Sequence, residues 1–450
     1  MFKTKLDTYF HSLWFIFSIV LISLIGWQFK LAIYSFSVVA VLSICILFVS
    51  KDLSPIVYVI ACVTYMFNFV PTTPEFIIAF CVTLVLVAVG LVYNYFKFEN
   101  DRNEKFKLDK HFWCGIVLTI SMMLGGLFSE YYGINTIVFG FTNVFPSLCV
   151  YLLVKNFCST NKFEILFRFC LTFVMLISLE MVLQYSQAQD IISFMQNKRI
   201  TVSVGEINLP AIMMGGAIPV FMLKGLNSKH SNAMLFLSAI TYVFILFTFC
   251  RGSILFGGIM FFVSFIIVLV KTEKKKQFFI CSGTMAVIAI CVVVVAYNFG
   301  VFDKIIQKGL DDNGRYELWQ LAWDEFLKNP FFGVGFKGVD TYGFDYTMFH
   351  SLPFQIIGSM GIVGIVASAI FFVDRYSVLY KNFNVQTVLM VLGVLVLDLY
   401  GMIDNTFTYG GAFMFAYLVR LACDEIKNNN MGNRVENGKI IGSKEFIQTI

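Results

Sequence analysis

The chain has 450 residues, of which 58% are hydrophobic and only 14% charged, against roughly 25% charged in an ordinary soluble domain. That much apolar surface needs lipid to cover it, which excludes a soluble fold. The net charge of +5 says less than where the charges lie along a membrane chain, and nucleic acid is not an expected partner.

Apolar runs recur at about 17 to 22 residues, the length an α-helix needs to cross a hydrocarbon core of roughly 30 Å. Stretches such as Met285 to Val295 and Leu84 to Val92 are apolar all round rather than at every second residue, which excludes a transmembrane β-barrel. The expected fold class is all-α, a polytopic helical transmembrane bundle of about 14 spans, with roughly 12 to 14 as the range. In chain order the spans fall near residues 12–28, 32–50, 54–70, 76–95, 112–128, 138–154, 165–185, 207–223, 233–250, 252–271, 278–299, 352–373, 386–403 and 409–424. The basic stretch Met1 to His11 leads into the first span without a small-residue cleavage site, so this span is expected to stay as an anchor. No internal repeat is visible.

Orientation follows from the short connections, whose Lys and Arg stay preferentially cytoplasmic. With both termini inside, roughly 24 of the 33 basic residues fall on the cytoplasmic side, including Arg102 to Lys110 and the run Lys271, Lys274, Lys275 and Lys276. Connections assigned to the outer face, such as Pro71 to Glu75 and Glu130 to Thr136, carry almost none. The eleven cysteines are scattered through apolar segments with no Cys-x-x-Cys pair, so they read as small buried hydrophobes, and no metal site is expected.

Two outer segments are long: about Ser186 to Glu206, and about Gly300 to Phe349. In the second, Trp319, Trp323, Phe326 and Leu327 recur at helical spacing with polar residues on other faces, and Asn329-Pro330 ends the helix. This predicts an amphipathic helix lying along the membrane surface. Gly333, Gly335 and Gly338 then permit tight turns that bring backbone amides close to a ligand.

Of four histidines, His11, His111 and His230 sit on cytoplasmic flanks and His350 alone lies outside, where the long loop meets a span. It is the outer-face candidate for proton transfer near neutral pH, or else a helix-terminal residue in solvent. Of eight arginines, Arg199, Arg251 and Arg315 fall outside. Arg251 stands isolated between two apolar segments, which marks a functional cation or a snorkelling anchor. Arg315 begins the surface helix, where it binds substrate or merely pairs with Asp311, Asp312 or Glu317.

Taken together these residues resemble a known family. Arg251-Gly252-Ser253-Ile254-Leu255 resembles the arginine, three residues, leucine motif of O-antigen ligases and related O-antigen and capsular polysaccharide polymerases. His350-Ser351, followed after nine residues by Gly361-Ile362-Val363-Gly364, resembles their second signature. Gly314 to Trp319 and Asn329 to Gly335 look like the start and end of a helix in that family's large outer loop. The resemblance covers about residues 199 to 373; Cys250 departs from it, standing where members often carry serine. It divides the chain into N-terminal spans at 1–185, a catalytic region at 186–373 with its outer loop at 300–350, C-terminal spans at 374–424 and a cytoplasmic tail at 425–450.

The resemblance implies a membrane glycosyltransferase of the bacterial inner membrane, acting on its outer face in cell-envelope polysaccharide biosynthesis. It would transfer a glycan from undecaprenyl pyrophosphate to an acceptor sugar hydroxyl without metal or cofactor. The partners implied are the undecaprenyl-pyrophosphate-linked oligosaccharide, the acceptor glycan, membrane lipid, and a flippase and chain-length regulator. Arg251 and Arg315 would hold the pyrophosphate, because a guanidinium pairs bidentately with phosphate oxygens. His350 would accept the proton of the attacking hydroxyl in an inverting single displacement. Arg199, Gly333, Gly335 and Ser351 would bind substrate, Arg199 as a third phosphate contact or at the acceptor glycan. No Asp-x-Asp motif stands on the outer loops, and no carboxylate pair for retaining chemistry can be picked from Asp324, Glu325, Asp340, Asp345 and Asp404. Polymerisation of O-antigen, capsular or exopolysaccharide repeat units is the leading reading. Ligation of a finished glycan is its alternative within the class. A transporter or flippase of lipid-linked oligosaccharide is the rival from another class, for which Glu180, Pro210, Pro219 and Asp398 are the midplane features; a scaffold is the last.

Overall fold

The computed structural model describes residues 2–66, 74–98, 106–130, 132–196, 200–203, 205–227, 231–273, 275–276, 278–280, 314–336 and 349–436, with isolated positions between 282 and 303. Arg199, His230, Gly338, the aromatic run from Tyr342 to Tyr346 and most of the span expected at 278–299 lie outside these residues.

The helices in chain order are α1 (Phe2–Phe10), α2 (Leu13–Gln28), α3 (Ala32–Val49), α4 (Ser54–Met66), α5 (Pro74–Lys97), α6 (Lys110–Met123), α7 (Ile134–Phe157), α8 (Lys162–Gln187) and α9 (Ile191–Gln196). They continue with α10 (Asn208–Asn227), α11 (Ser231–Phe247), α12 (Arg251–Lys271), α13 (Arg315–Lys328), α14 (Leu352–Lys381), α15 (Val385–Gly401) and α16 (Gly410–Glu436). A 3₁₀ turn at Thr406–Thr408 precedes α16, and a short antiparallel pair joins Thr201–Val202 to Gly205–Glu206. The fold is thus an all-α membrane bundle. Each predicted span except that at 278–299 coincides with one of these helices. Among the described residues, six helices are by themselves long and apolar enough to cross a bilayer, α1 and α2 together make a broken pair bent by 71°, and shorter apolar helices join them. Side chains at the connections start several helices: Ser12, Asp109, Asn161 and Asn384 each accept from a backbone amide of the first turn.

Two compact units make up the chain, Met1–Lys107 with Leu152–Pro210, and Leu108–Tyr151 with Ala211–Ile450. In the first, α2, α4 and α8 pack on one another and α3 lies against α5. Glu180, fully buried on α8, accepts the Ser203 amide at 2.8 Å. One turn on, Gln184 bonds both backbone groups of Thr201, so α8 holds the short antiparallel pair.

The second unit carries the O-antigen ligase-like motifs. Backbones of α10 and α15 touch at Gly216 and Gly393, where a Cβ on either would come within 2.8 Å of the other's carbonyl oxygen; small residues of this kind let membrane helices approach closely. At the Lys381 end of α14, Arg420 of α16 donates to the Asp374 carbonyl at 2.8 Å and to His111 Nε2 at 3.0 Å. A guanidinium only donates, so Nε2 is an acceptor, and Nδ1–H of His111 is turned to the Asp374 carboxylate. This network ties α6, α14 and α16 at the end away from His350.

Helix α14 is broken. Gly361 takes φ 59° and ψ −152° inside it, a conformation that disrupts the i→i−4 ladder. The segment after α13 fills the gap: Ile362 and Val363 amides donate to the Pro330 and Phe331 carbonyls at 2.8 and 3.1 Å. In return, the Gly358 and Ser359 carbonyls accept from the Val334 and Gly335 amides at 2.8 and 3.0 Å. The turn between α6 and α7 closes over the same segment, with the Gly126 amide donating to the Phe332 carbonyl at 2.7 Å.

Candidate functional site

His350 and Ser351 precede the first turn of α14. Ser351 is the N-cap residue, buried and extended, and its carbonyl accepts the Gln355 amide at 2.7 Å. His350 itself sits at φ 45°. A non-glycine residue in the left-handed region costs about 1–2 kcal/mol, and such strain is retained where the surroundings fix it. Here Gln355 does the fixing. Its fully buried amide oxygen accepts the Phe349 amide at 2.9 Å and the Asn405 side-chain amide at 2.7 Å, while its nitrogen donates to Ser359 Oγ at 2.6 Å.

Gln355 thereby ties the segment before His350 to the turn after α15, and this turn supplies Asp404. His350 Nδ1 lies 3.1 Å from Asp404 Oδ1. The other donors to this carboxylate are the Asn405 amide at 2.8 Å and, on Oδ2, the Tyr400 hydroxyl at 2.7 Å. Burial alone would raise the Asp404 pKa, but the hydrogen bonds from His350 and Tyr400 outweigh it and hold the carboxyl below its ordinary range. Being depressed, it stabilises the fold fully above about pH 4, and that contribution is lost only as pH falls through the lower folded value. An ionised carboxylate only accepts, so Nδ1 of His350 is the donor and carries the hydrogen of the neutral ring. The His350 side chain is 31% exposed and Asp404 11%, so the imidazole is the member of the pair that meets incoming molecules.

Arg251 is the first residue of α12 and is partly exposed. The chain reaches it through Phe249, at φ 55°, and Cys250, the extended N-cap. A Cβ on Gly252 would lie 2.7 Å from the Tyr400 ring and 2.9 Å from Ile403 Cδ1. Glycine in this motif therefore lets the start of α12 press against the end of α15, beside Asp404.

Arg315 is the first residue of α13, after Gly314 at φ 75°. It forms no ion pair with Glu317 among the described residues, and Asp311 and Asp312 lie outside them. Trp319 stacks on Phe354 at 5.3 Å between centroids, and a Cβ on Gly358 would lie 3.1 Å from Ala322 Cβ. Contacts of 319 with 354 and of 322 with 358 mean that α13 and α14 run parallel, which sets Arg315 level with His350. The buried face of α13 is Leu318, Ala322 and Glu325, while Trp323 and Leu327 of the expected apolar stripe are exposed. The small side chain of Ala322 permits the close approach to Gly358, so packing on α14 selects that face over the aromatic one.

The three residues expected to act in catalysis thus stand at helix starts, where unpaired amides and the macrodipole favour an anion. Gly333 and Gly335 lie in the segment after α13 that packs against the middle of α14. Their amides bond the Asn329 and Ser359 carbonyls at 2.8 and 3.0 Å, and both take positive φ, so they shape the segment that enters the broken helix. Sequence reasoning weighed Asp404 among several carboxylates and missed Tyr400 and Gln355. A carboxylate just past the end of a long apolar run was the one available signal.

Residues 233–369 match the family model described as O-antigen ligase. No curated protein matches the chain. The matched stretch holds Arg251, Arg315 and His350 and ends before Tyr400 and Asp404. Residues 233–369 are thus similar to the O-antigen ligase family, and together with the apolar helices this match supports a membrane enzyme of the O-antigen ligase or polymerase type.

Proposed function

We propose that this protein polymerises glycan repeat units by transferring the chain on undecaprenyl pyrophosphate to the hydroxyl of an acceptor glycan, on the outer face of the bacterial inner membrane. The observation that carries the reading is the His350–Asp404 pair at the start of α14, with Arg315 at the corresponding end of the parallel helix α13. In the step, the acceptor oxygen forms a bond to the anomeric carbon as the bond from that carbon to the pyrophosphate oxygen breaks. The hydroxyl proton passes to His350 Nε2, and the lipid pyrophosphate leaves with the electron pair. One displacement inverts the anomeric centre.

Asp404 holds the imidazole in the tautomer that accepts at Nε2 and stabilises the cation that forms. Arg251 and Arg315, each backed by a helix N-terminus, would take the growing charge on the leaving pyrophosphate. Arg199 and Ser351 belong to the same proposal as substrate contacts, and Gly333 and Gly335 as residues that shape the site's support. A flippase and a chain-length regulator are its proposed partners.

Arg315→Lys keeps the charge but loses the planar fork. Transfer should fall roughly 10- to 100-fold, the worth of one or two charge-assisted hydrogen bonds, measured as product formed per amount of inserted protein. Wild-type rates in Arg315→Lys and Arg315→Ala alike would remove Arg315 from the site. The test of the function is a deletion strain complemented with wild-type or His350→Ala protein, its surface and lipid-linked glycans resolved by length. Single repeat units in the deletion strain, with a ladder restored by wild type alone, support a polymerase. Long lipid-linked chains that accumulate unattached identify a ligase instead, and normal glycans in every strain overturn the enzymatic reading.

A further inference from the structure

The hydrogen bonds behind Asp404 have a direction. Tyr400 has one hydroxyl proton, and Asp404, an acceptor, takes it at 2.7 Å. The Tyr400 oxygen can then only accept from the Cys250 thiol, 3.4 Å away. Cys250 Sγ in turn accepts from Ser253 Oγ at 3.2 Å. Every donor in the series Ser253, Cys250, Tyr400 points towards one carboxylate, and His350 Nδ1 donates to it from the other side. Cys250, Ser253 and Tyr400 are buried, so water does not compete for these groups, and bonds in such a chain polarise one another.

We propose that Tyr400 is a positioning residue for the transfer reaction: its hydroxyl fixes Asp404 against His350 and couples the start of the Arg251 helix to the base. The inference rests on the reading of His350 as that base. Cys250 and Arg251 are consecutive at the start of α12, so the thiol that donates to Tyr400 belongs to the residue next to the arginine. The position of the cation and that of the base are thereby linked through Tyr400. Among the described residues, the charged and titratable groups around the series are Asp404 from the turn after α15, His350 from the start of α14, Cys250 and Arg251 from the start of α12, and Arg315 level with His350 on α13.

Tyr400→Phe removes the hydroxyl and keeps the ring that packs on Gly252. With one donor fewer, the Asp404 charge is less neutralised and holds the His350 cation more strongly. The acid limb of the pH–rate profile should therefore move to higher pH, and the maximal rate should fall roughly tenfold. Asp404→Asn removes the charge itself and should move that limb the other way. Cys250→Ala should lower the rate a few-fold in wild type and add nothing in Tyr400→Phe, because its effect travels through the missing hydroxyl.

The experiment uses the full-length protein with lipid-linked glycan extracted from the deletion strain as donor, and it follows transfer against pH for wild type, His350→Ala and these variants. The expected result is an inactive His350→Ala with opposite displacements of the acid limb in Tyr400→Phe and Asp404→Asn. If His350→Ala is inactive but Tyr400→Phe keeps the wild-type acid limb, Tyr400 has only a packing role and the proposal falls while the function stands. An active His350→Ala overturns both.

Discussion

Replacing His350 by alanine is expected to lower glycan transfer by roughly 10²- to 10⁴-fold, the span that a positioned general base contributes, while the protein remains inserted and abundant. The local structure gives the reason for the second half. His350 is held at φ 45° by bonds that its neighbours make: the Phe349 amide to Gln355, and the Gln355 amide to Ser351. None of these uses the imidazole. Its own bond to Asp404 leaves that carboxylate with the Tyr400 and Asn405 donors when it is lost. His350→Asn is the sharper variant, since asparagine tolerates the left-handed region and still offers a polar group to Asp404. Transfer by His350→Asn within tenfold of wild type, at equal amounts of protein, would rule out proton acceptance by the imidazole.

The largest effect on stability is expected at Gly333. Alanine there would place its Cβ 2.4 Å from the Gly358 carbonyl oxygen and 2.6 Å from the Met360 amide nitrogen, both backbone atoms with nowhere to go, at φ 64°. The left-handed penalty of about 1–2 kcal/mol adds to the loss of the paired bonds that join this segment to α14, about 1 kcal/mol each. Gly333→Ala should therefore destabilise the second unit by on the order of 3–4 kcal/mol. Gly314→Ala provides the comparison: at φ 75°, the nearest group to its Cβ is a Glu317 oxygen at 3.7 Å, so only the backbone term applies. Thermal unfolding in detergent, followed by size-exclusion recovery, should rank Gly333→Ala well below Gly314→Ala. Equal midpoints would mean that the broken helix tolerates the methyl group, and that its close packing contributes little.

The spans were legible because a bilayer leaves a chain few ways to cross it: long apolar runs must be helices, and the helix expected from residue 352 begins at Leu352, while the run before Arg251 ends as a helix at Phe247 and Arg251 begins the next one. His350 and the two arginines stood out by the same physics, as polar groups at the edges of apolar segments. Asp404 could not be paired with His350 from sequence, because the contact spans 54 residues and depends on how α14 and α15 pack. The buried face of α13 was hidden for a related reason. Its aromatic residues make the more apolar stripe, but only the narrow Ala322 side fits against Gly358. Gly361 gave no warning at all: a glycine in an apolar run is compatible with a continuous span, and its positive φ becomes possible only when a second segment supplies the lost hydrogen bonds.

The exchange at Gly361 also sets an order of assembly. The segment Asn329 to Phe336 is synthesised before Leu352 to Lys381, so until α14 exists its partners are earlier segments such as the turn between α6 and α7, where the Gly126 amide bonds the Phe332 carbonyl. An isolated α14 would have every reason to enter the bilayer as an unbroken helix, pairing Ile362 with Gly358 and Val363 with Ser359 within itself. The observed bonds, from Ile362 and Val363 to the carbonyls of Pro330 and Phe331, and from Val334 and Gly335 to those of Gly358 and Ser359, arise only after that helix opens. Insertion of α14 and completion of the fold therefore draw on different hydrogen bonds. The later span must give up its own satisfied bonds for those of an earlier loop, so a chain halted between insertion and completion would be fully inserted yet lack its finished site.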